Sequence, residues 1–350
     1  MENLEEIIKN DEQNIKKSDI SIKIHILKFL SDKKDIFVTN KKLVELRSLK
    51  TKEVDLKEWL YQPLEIFCNN IDQMTRDICD YLYKQNVEYL QSREDYYKTR
   101  NLIDASFEIV AFIQKNREQF QKYITKEKLY GTITTSNPTI ILPYLYYQYI
   151  TPNINFQTWE ENIEIEQNLW NLFFELNSGI VCENKKTKYS DFIKTKEEII
   201  KILLNEKENT YLFTGEYTYE KLIDEKMGDN ELDVFLENPL DFISRNKDKL
   251  ENLDLKIEEK DGLYYFWDKE YRLLKNKEVI LNIIPLEYAI NTIRIGYENH
   301  GNYHSVIFIF LLKFIENNGD FRYINMIKNL IKHKNGFITK EKLYGTITTS

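Results

Sequence analysis

Arg294 and His300 stand six residues apart in the segment RIGYENHG, and His304 follows four residues later. A histidine titrates near neutral pH and can move a proton, while a guanidinium can hold the charge that develops on a phosphorane. The pair therefore carries the elements of metal-independent phosphate chemistry. His300 and His304 also have the spacing that would set two imidazoles on one helix face, as a metal pair requires. Gly301 and Asn302 interrupt such a helix, no third ligand is evident, and the HExxH pattern is absent. The two histidines thus read as one loop and one helix-start residue, and no metal or cofactor is expected. Glu258-Glu259-Lys260 supplies the E-x-K of a metal-dependent nuclease strand, but Asp254 sits on the same segment and not on a neighbouring strand. A solvated strand end explains it better. The phosphate-cradling patterns G-x-x-x-x-G-K-[ST] and G-x-G-x-x-G are absent, as is the G-x-S-x-G elbow.

The spacing of Arg294 and His300 resembles the Arg-x4–6-His motif of HEPN-type ribonucleases. The resemblance implies an all-helical domain with the motif at a helix end, acting on RNA without a metal and usually across a dimer. Arg294 would be the phosphate clamp and His300 the general acid–base group. It spans seven residues, and Ile295 stands where that family commonly has a polar side chain. Two other groups are candidate contact surfaces. Tyr144, Tyr146 and Tyr147 lie in YLYYQY among prolines, where rings could stack on bases or a peptide, or form a packed core edge. Lys328 and Lys332, with Arg322, His333 and Lys334, make a locally basic helix that could meet phosphates.

The elements that must position these residues read as mainly helical, in a multi-helix protein with a long helical hairpin and a small β-hairpin. Ser18 looks like the N-cap of a helix over Asp19–Leu30. No Gly or Pro occurs from Leu64 to Tyr130, and Leu64, Phe67, Ile71, Met74, Ile78 and Tyr81 fall at three- and four-residue steps. That seam, with a second apolar stretch over Leu102–Phe120, predicts the helical hairpin, turning near Gln91–Arg100. Thr158 with Glu161, and Thr195 with Glu198, read as capping boxes opening two further helices. Asp261-Gly262 between LKIEEK and LYYFWD predicts a β-hairpin over Lys256–Asp268. Helices are expected again at Ser305–Glu316 and Asp320–His333. The organisation reads as an N-terminal helical domain (1–136), a Pro/Tyr-rich connector (137–157), a C-terminal mainly helical domain (158–336) and a tail (337–350).

An exact repeat bounds two of those segments: ITKEKLYGTITTS occupies both Ile124–Ser136 and Ile338–Ser350. In each copy the threonine at the second position can cap a short helix that the glycine ends, with a β-prone stretch behind it. The first copy is expected to close the helical hairpin and the second to be a peripheral tail. The 350 residues carry 42% hydrophobic and 13% aromatic residues, which suffices for a large core. A net charge of −8 excludes a surface that binds nucleic acid over its whole extent. Cys68, Cys79 and Cys182 are scattered, as expected of free thiols in a reducing cytoplasm. No secretory signal or membrane-spanning run is read. The leading functional reading is a non-enzymatic binding protein with a protein partner. The alternative is the metal-independent ribonuclease, a toxin or phage-defence effector acting through Arg294 and His300, for which RNA is the partner.

Overall fold

The computed structural model describes residues 20–31, 33–40, 42–44, 58–87, 89–94, 100–105, 109–128, 132–150, 156–177, 190–206, 210–223, 230–264, 266–267, 269–285 and 292–344. Ser18, Cys182, Asp19 and the tip of the first repeat copy lie outside them. Two compact units are formed, one by residues 1–142 with 160–176 and the other by residues 143–159 with 177–350.

Within the first unit, strands β1 (Phe37–Thr39), β2 (Leu64–Cys68), β3 (Gln91–Glu94), β4 (Arg100–Ile103) and β5 (Ile109–Lys115) build a sheet in the order β1-β2-β5-β4-β3. β6 (Ile124–Lys128) and β7 (Thr132–Ser136) form a separate antiparallel hairpin. The helix Ile71–Lys84 is amphipathic, with Asn70 as its N-cap accepting from the Gln73 amide at 3.0 Å. Ile78 and Leu82 join Ile66, Val110 and Ile113 in the core. In the second unit, β8 (Tyr211–Thr214), β9 (Leu232–Leu236), β10 (Lys256–Asp261), β11 (Lys269–Lys275), β12 (Glu278–Pro285), β13 (Thr292–Ile295) and β14 (Glu298–Gly301) give the order β10-β11-β12-β9-β8-β14-β13.

The fold is therefore mixed α/β, which corrects the mainly helical expectation. The supposed helical hairpin is where the correction is largest. Leu64 and Phe67 belong to strand β2, and the helix begins only at Ile71. The stretch expected as its second arm contains β4 and β5. β5 reads IVAFIQK, and residues on both of its faces are buried. A strand covered on both faces shows a continuous apolar run in place of alternation, which periodicity cannot tell from a buried helix. Thr195 opens no helix either. It lies inside Ser190–Leu204, where its hydroxyl donates back to the Asp191 carbonyl at 2.8 Å. The hairpin after Lys256 exists, but β10 pairs with β11 across the 262–268 connection. Leu263, Tyr264, Phe266 and Trp267 in that connection are buried.

The two large sheets repeat one plan. Taking β1 to β5 onto β8 to β12 in sequence order carries β1-β2-β5-β4-β3 onto β8-β9-β12-β11-β10, the same permutation. Strand senses agree throughout. The first two strands are antiparallel in each sheet, the second and fifth are parallel, and the remaining pairs are antiparallel. Register agrees as well, since Thr39 faces Glu65 where Thr214 faces Asp233. The segments LEIFCNN (64–70) and LDVFLEN (232–238) thus occupy one place in two sheets. The exact thirteen-residue repeat follows no such plan. Its first copy forms the β6–β7 hairpin, whereas Ile338–Tyr344 of its second copy continues the helix Phe321–Tyr344.

The aromatic contact across β1 and β2 tests the first unit. Phe67 stacks on Phe37 at 4.4 Å between centroids and meets Phe120 edge-on at 5.8 Å. Phe67→Ala should lower stability by about 3–5 kcal/mol in urea titration, the usual cost of emptying a buried aromatic position.

Candidate functional site

The carboxylates of the second unit converge at the end of β8 and the start of β9. β8 runs into Gly215, whose φ of +60° opens the helix Gly215–Ile223. A Cβ there would overlap the Asp233 carboxylate, so this turn requires glycine for both conformation and space. The turn buries Glu216 fully, next to Asp233 on β9 and Glu231 just ahead of it. Parallel pairing of β9 with β12 sets Asn282 beside Asp233, and its amide donates to Asp233 Oδ1 at 2.9 Å.

The helix Tyr303–Glu316 completes the cluster. Asn302 caps it, and residues 305–315 are buried on every face. Lys313 is the one charged side chain in the run Val306–Ile315. Its Nζ donates to Asp233 Oδ2 at 2.6 Å and to Glu231 Oε1 at 2.9 Å. Burial opposes the charge on Lys313, yet Asp233 and Glu231 outweigh it and hold the ammonium well above the ordinary lysine range. For Asp233, burial pushes the carboxyl up while Lys313 pulls it down. With donors on both of its oxygens, the ion-paired form is the one this geometry stabilises. Glu216 differs. Burial, reinforced by Glu231 and Asp233 against the pull of Lys313, pushes its carboxyl up to about 8, while Arg322, whose Nη2 lies 3.3 Å from Glu216 Oε1, favours the charged form.

A cavity of about 130 Å³ opens beside the cluster, lined among others by Glu231, Asp233, Asn282, Lys313, Glu270 and Arg272. Glu270 accepts from Trp267 Nε1 at 2.7 Å, and burial with the nearby Glu316 charge pushes it up to about 7. Lys260 bonds Glu316, and Arg272 reaches the same carboxylate at 3.3 Å.

The first sheet holds a reduced version of this arrangement. Glu65 takes the place of Asp233, but Pro63 stands where Glu231 would be and Phe112 where Asn282 would be. The Gln114 amide meets Glu65 at 3.3 Å.

The candidates drawn from sequence lie elsewhere. His300 is on β14, fully buried, with Nδ1 on Thr218 Oγ1 at 2.9 Å and Nε2 on Glu298 at 3.0 Å. The Tyr217 hydroxyl donates to Glu298, whose carboxyl these bonds and Lys221 hold below its usual range although burial alone would raise it. Arg294 faces Asn299 across the β13–β14 ladder, while Ile293 faces His300. Since successive residues alternate faces, Arg294 and His300 point to opposite sides of the hairpin. Tyr144 and Tyr146 are core groups. Tyr147 is half-buried and stacks on Phe266 at 3.9 Å. Lys328 lies over the Phe321 ring at 5.8 Å, and Lys332 is exposed one turn on. Sequence reasoning passed over Gly215, Glu216, Glu231, Asp233, Asn282 and Lys313. The available signals were the alternating carboxylates of Glu231-Leu232-Asp233 and a lone lysine inside an apolar helix.

No protein-family model matches the sequence, and no curated protein matches it. Among solved structures, the chain is similar to the crystal structure of the Megavirus polyadenylate synthase. The TM-score is 0.72 at 16% identity, over 99% of this chain and 78% of that one. The fold is shared across the chain's length. Among the described residues, no helix is long and apolar enough to cross a membrane.

Glu216 sets a pH test. Between its ordinary value of 4.5 and about 8, the folded chain keeps a proton that the unfolded chain loses, so this group's contribution falls as pH rises through that window. Glu216→Gln removes the titration. Relative to the parent, the variant should gain about 1 kcal/mol or more between pH 5 and pH 8 in paired urea titrations.

Proposed function

We propose that the chain is an RNA-associated protein, built on the fold of a polyadenylate synthase, that binds without transferring nucleotides. The ammonium of Lys313 between Asp233 and Glu231 carries the proposal. Enzymes that join phosphates in polymers commonly hold divalent ions between carboxylates that stabilise both the attacking and the leaving oxygens. The residues of this chain do not fit that role. In the second unit a lysine ammonium occupies the space between the two carboxylates and the strand beside them offers an amide. The first unit keeps Glu65 alone among the matching positions. Among the described residues, no group of three or more His, Cys, Asp and Glu side chains is placed to hold a metal.

The likeness to a polyadenylate synthase supports RNA as the polymer bound. A surface feature supports contact with a single strand. The β13–β14 hairpin exposes Arg294, and at its turn Tyr297 is 91% exposed. A cation and an open ring on one projecting element suit backbone contact and base stacking.

Two assays on the full chain test the reading. With ATP, Mg²⁺ or Mn²⁺ and an RNA primer, no adenylate should be added, and primer extension would overturn the non-catalytic reading. A labelled single-stranded RNA should bind with an affinity that falls as salt rises. Tyr297→Ala should weaken that binding about tenfold, the loss of one stacked base. An RNA that fails to bind at low salt would overturn the RNA association.

A further inference from the structure

We infer that Lys313 occupies the place of a divalent cation, so that the Glu231–Asp233 pair is a cation site filled by an amine of the chain itself. The inference rests on the non-catalytic reading above and deepens it by naming what shuts the site and what would enter if it were opened.

Three observations converge. First, the helix that carries Lys313 is buried and otherwise apolar from Val306 to Ile315, so nothing on the helix itself accounts for a charge there. The partners that do are the two carboxylates, alternating residues that turn to one side of their segment. Second, the donors have the character that a hard cation takes. They are oxygens from two carboxylates, with the Asn282 amide in register beside them. The adjoining cavity of about 130 Å³ has room for water to complete a shell, at roughly 30 Å³ per molecule. Third, the two sheets vary together. In the first, where Pro63 replaces one carboxylate and Phe112 the amide, the remaining Glu65 meets the neutral Gln114 amide. In the second, where the carboxylate pair persists, Lys313 lies between them.

Removing the amine should leave two carboxylates that require a cation. The probe is Mn²⁺ alone, without RNA or nucleotide, added to the full chain. Wild type should show no Asp233-dependent Mn²⁺ binding by electron paramagnetic resonance and no shift in melting temperature. Lys313→Ala should melt lower in chelator, and millimolar Mn²⁺ should return about 5 °C or more. Its spectrum should show one further bound ion, lost again in Lys313→Ala/Asp233→Asn. Lys313→Gln keeps more of the side-chain volume and serves if the alanine variant does not fold in chelator. Failure of Mn²⁺ to bind or to restore both variants overturns the inference, as does Asp233-dependent Mn²⁺ binding by wild type. Primer extension by the wild-type chain would defeat the proposed function through a different measurement.

Discussion

Burying an ammonium among carboxylates constrains everything around it. Each ion loses its hydration on entering the interior, and the pair is tolerable only if the geometry returns what desolvation removes. Around Lys313 that requirement is met by several elements at once. β9 must present Asp233 inward, β12 must lie parallel in the register that brings Asn282 to it, and the turn at Gly215 must pass without a side chain. The helix Tyr303–Glu316 must then lie against the sheet at the height that delivers Nζ to both acceptors. A slip of one residue in β9 would turn Asp233 to the other face and strand the charge. The ion pair therefore specifies register more than it adds stability.

The matching sheet shows which parts of this plan belong to the architecture and which to the site. Strand order, senses, the threonine facing an acid, and an asparagine two residues past the second strand recur in both. The first carboxylate, the amide on the fifth strand and the lysine do not. Packing needs preserve the first set, because those residues close turns or cap helices. The second set meets at the charge cluster around Lys313.

Sequence showed the helix Tyr303–Glu316 to within two residues, and the apolar character that makes it a core helix. It showed the strand beginning at Lys256 through the Asp261-Gly262 turn signal that follows it. It concealed β5, because burial on both faces erased the period that marks a strand, and it placed Leu64 and Phe67 in a helix because their spacing happened to continue that of Ile71–Tyr81. The site was harder still. Lys313 lies about eighty residues from Glu231 and Asp233 and meets them only when its helix is in place, which no local pattern announces. Arg294 and His300, close in sequence, are parted by the alternation of a strand. Proximity along the chain and proximity in space gave opposite answers at both places.

The thirteen-residue repeat carries the same lesson to its limit. Residues 124–128 are strand, and Ile338–Tyr344, which begins with the same five residues, is helix. One peptide sequence, two backbones: its intrinsic preference for either must be smaller than what neighbours supply. The first copy has such neighbours, since Thr135 and Ser136 are buried and the Ser136 hydroxyl donates to Thr39 Oγ1 at 2.7 Å, tying β7 to the strand whose last residue also faces Glu65. The segment behaves as a conformational blank that takes the form of its host. The most conspicuous identity in the chain thus encodes almost no structure, while the faint likeness of LEIFCNN to LDVFLEN records an entire sheet.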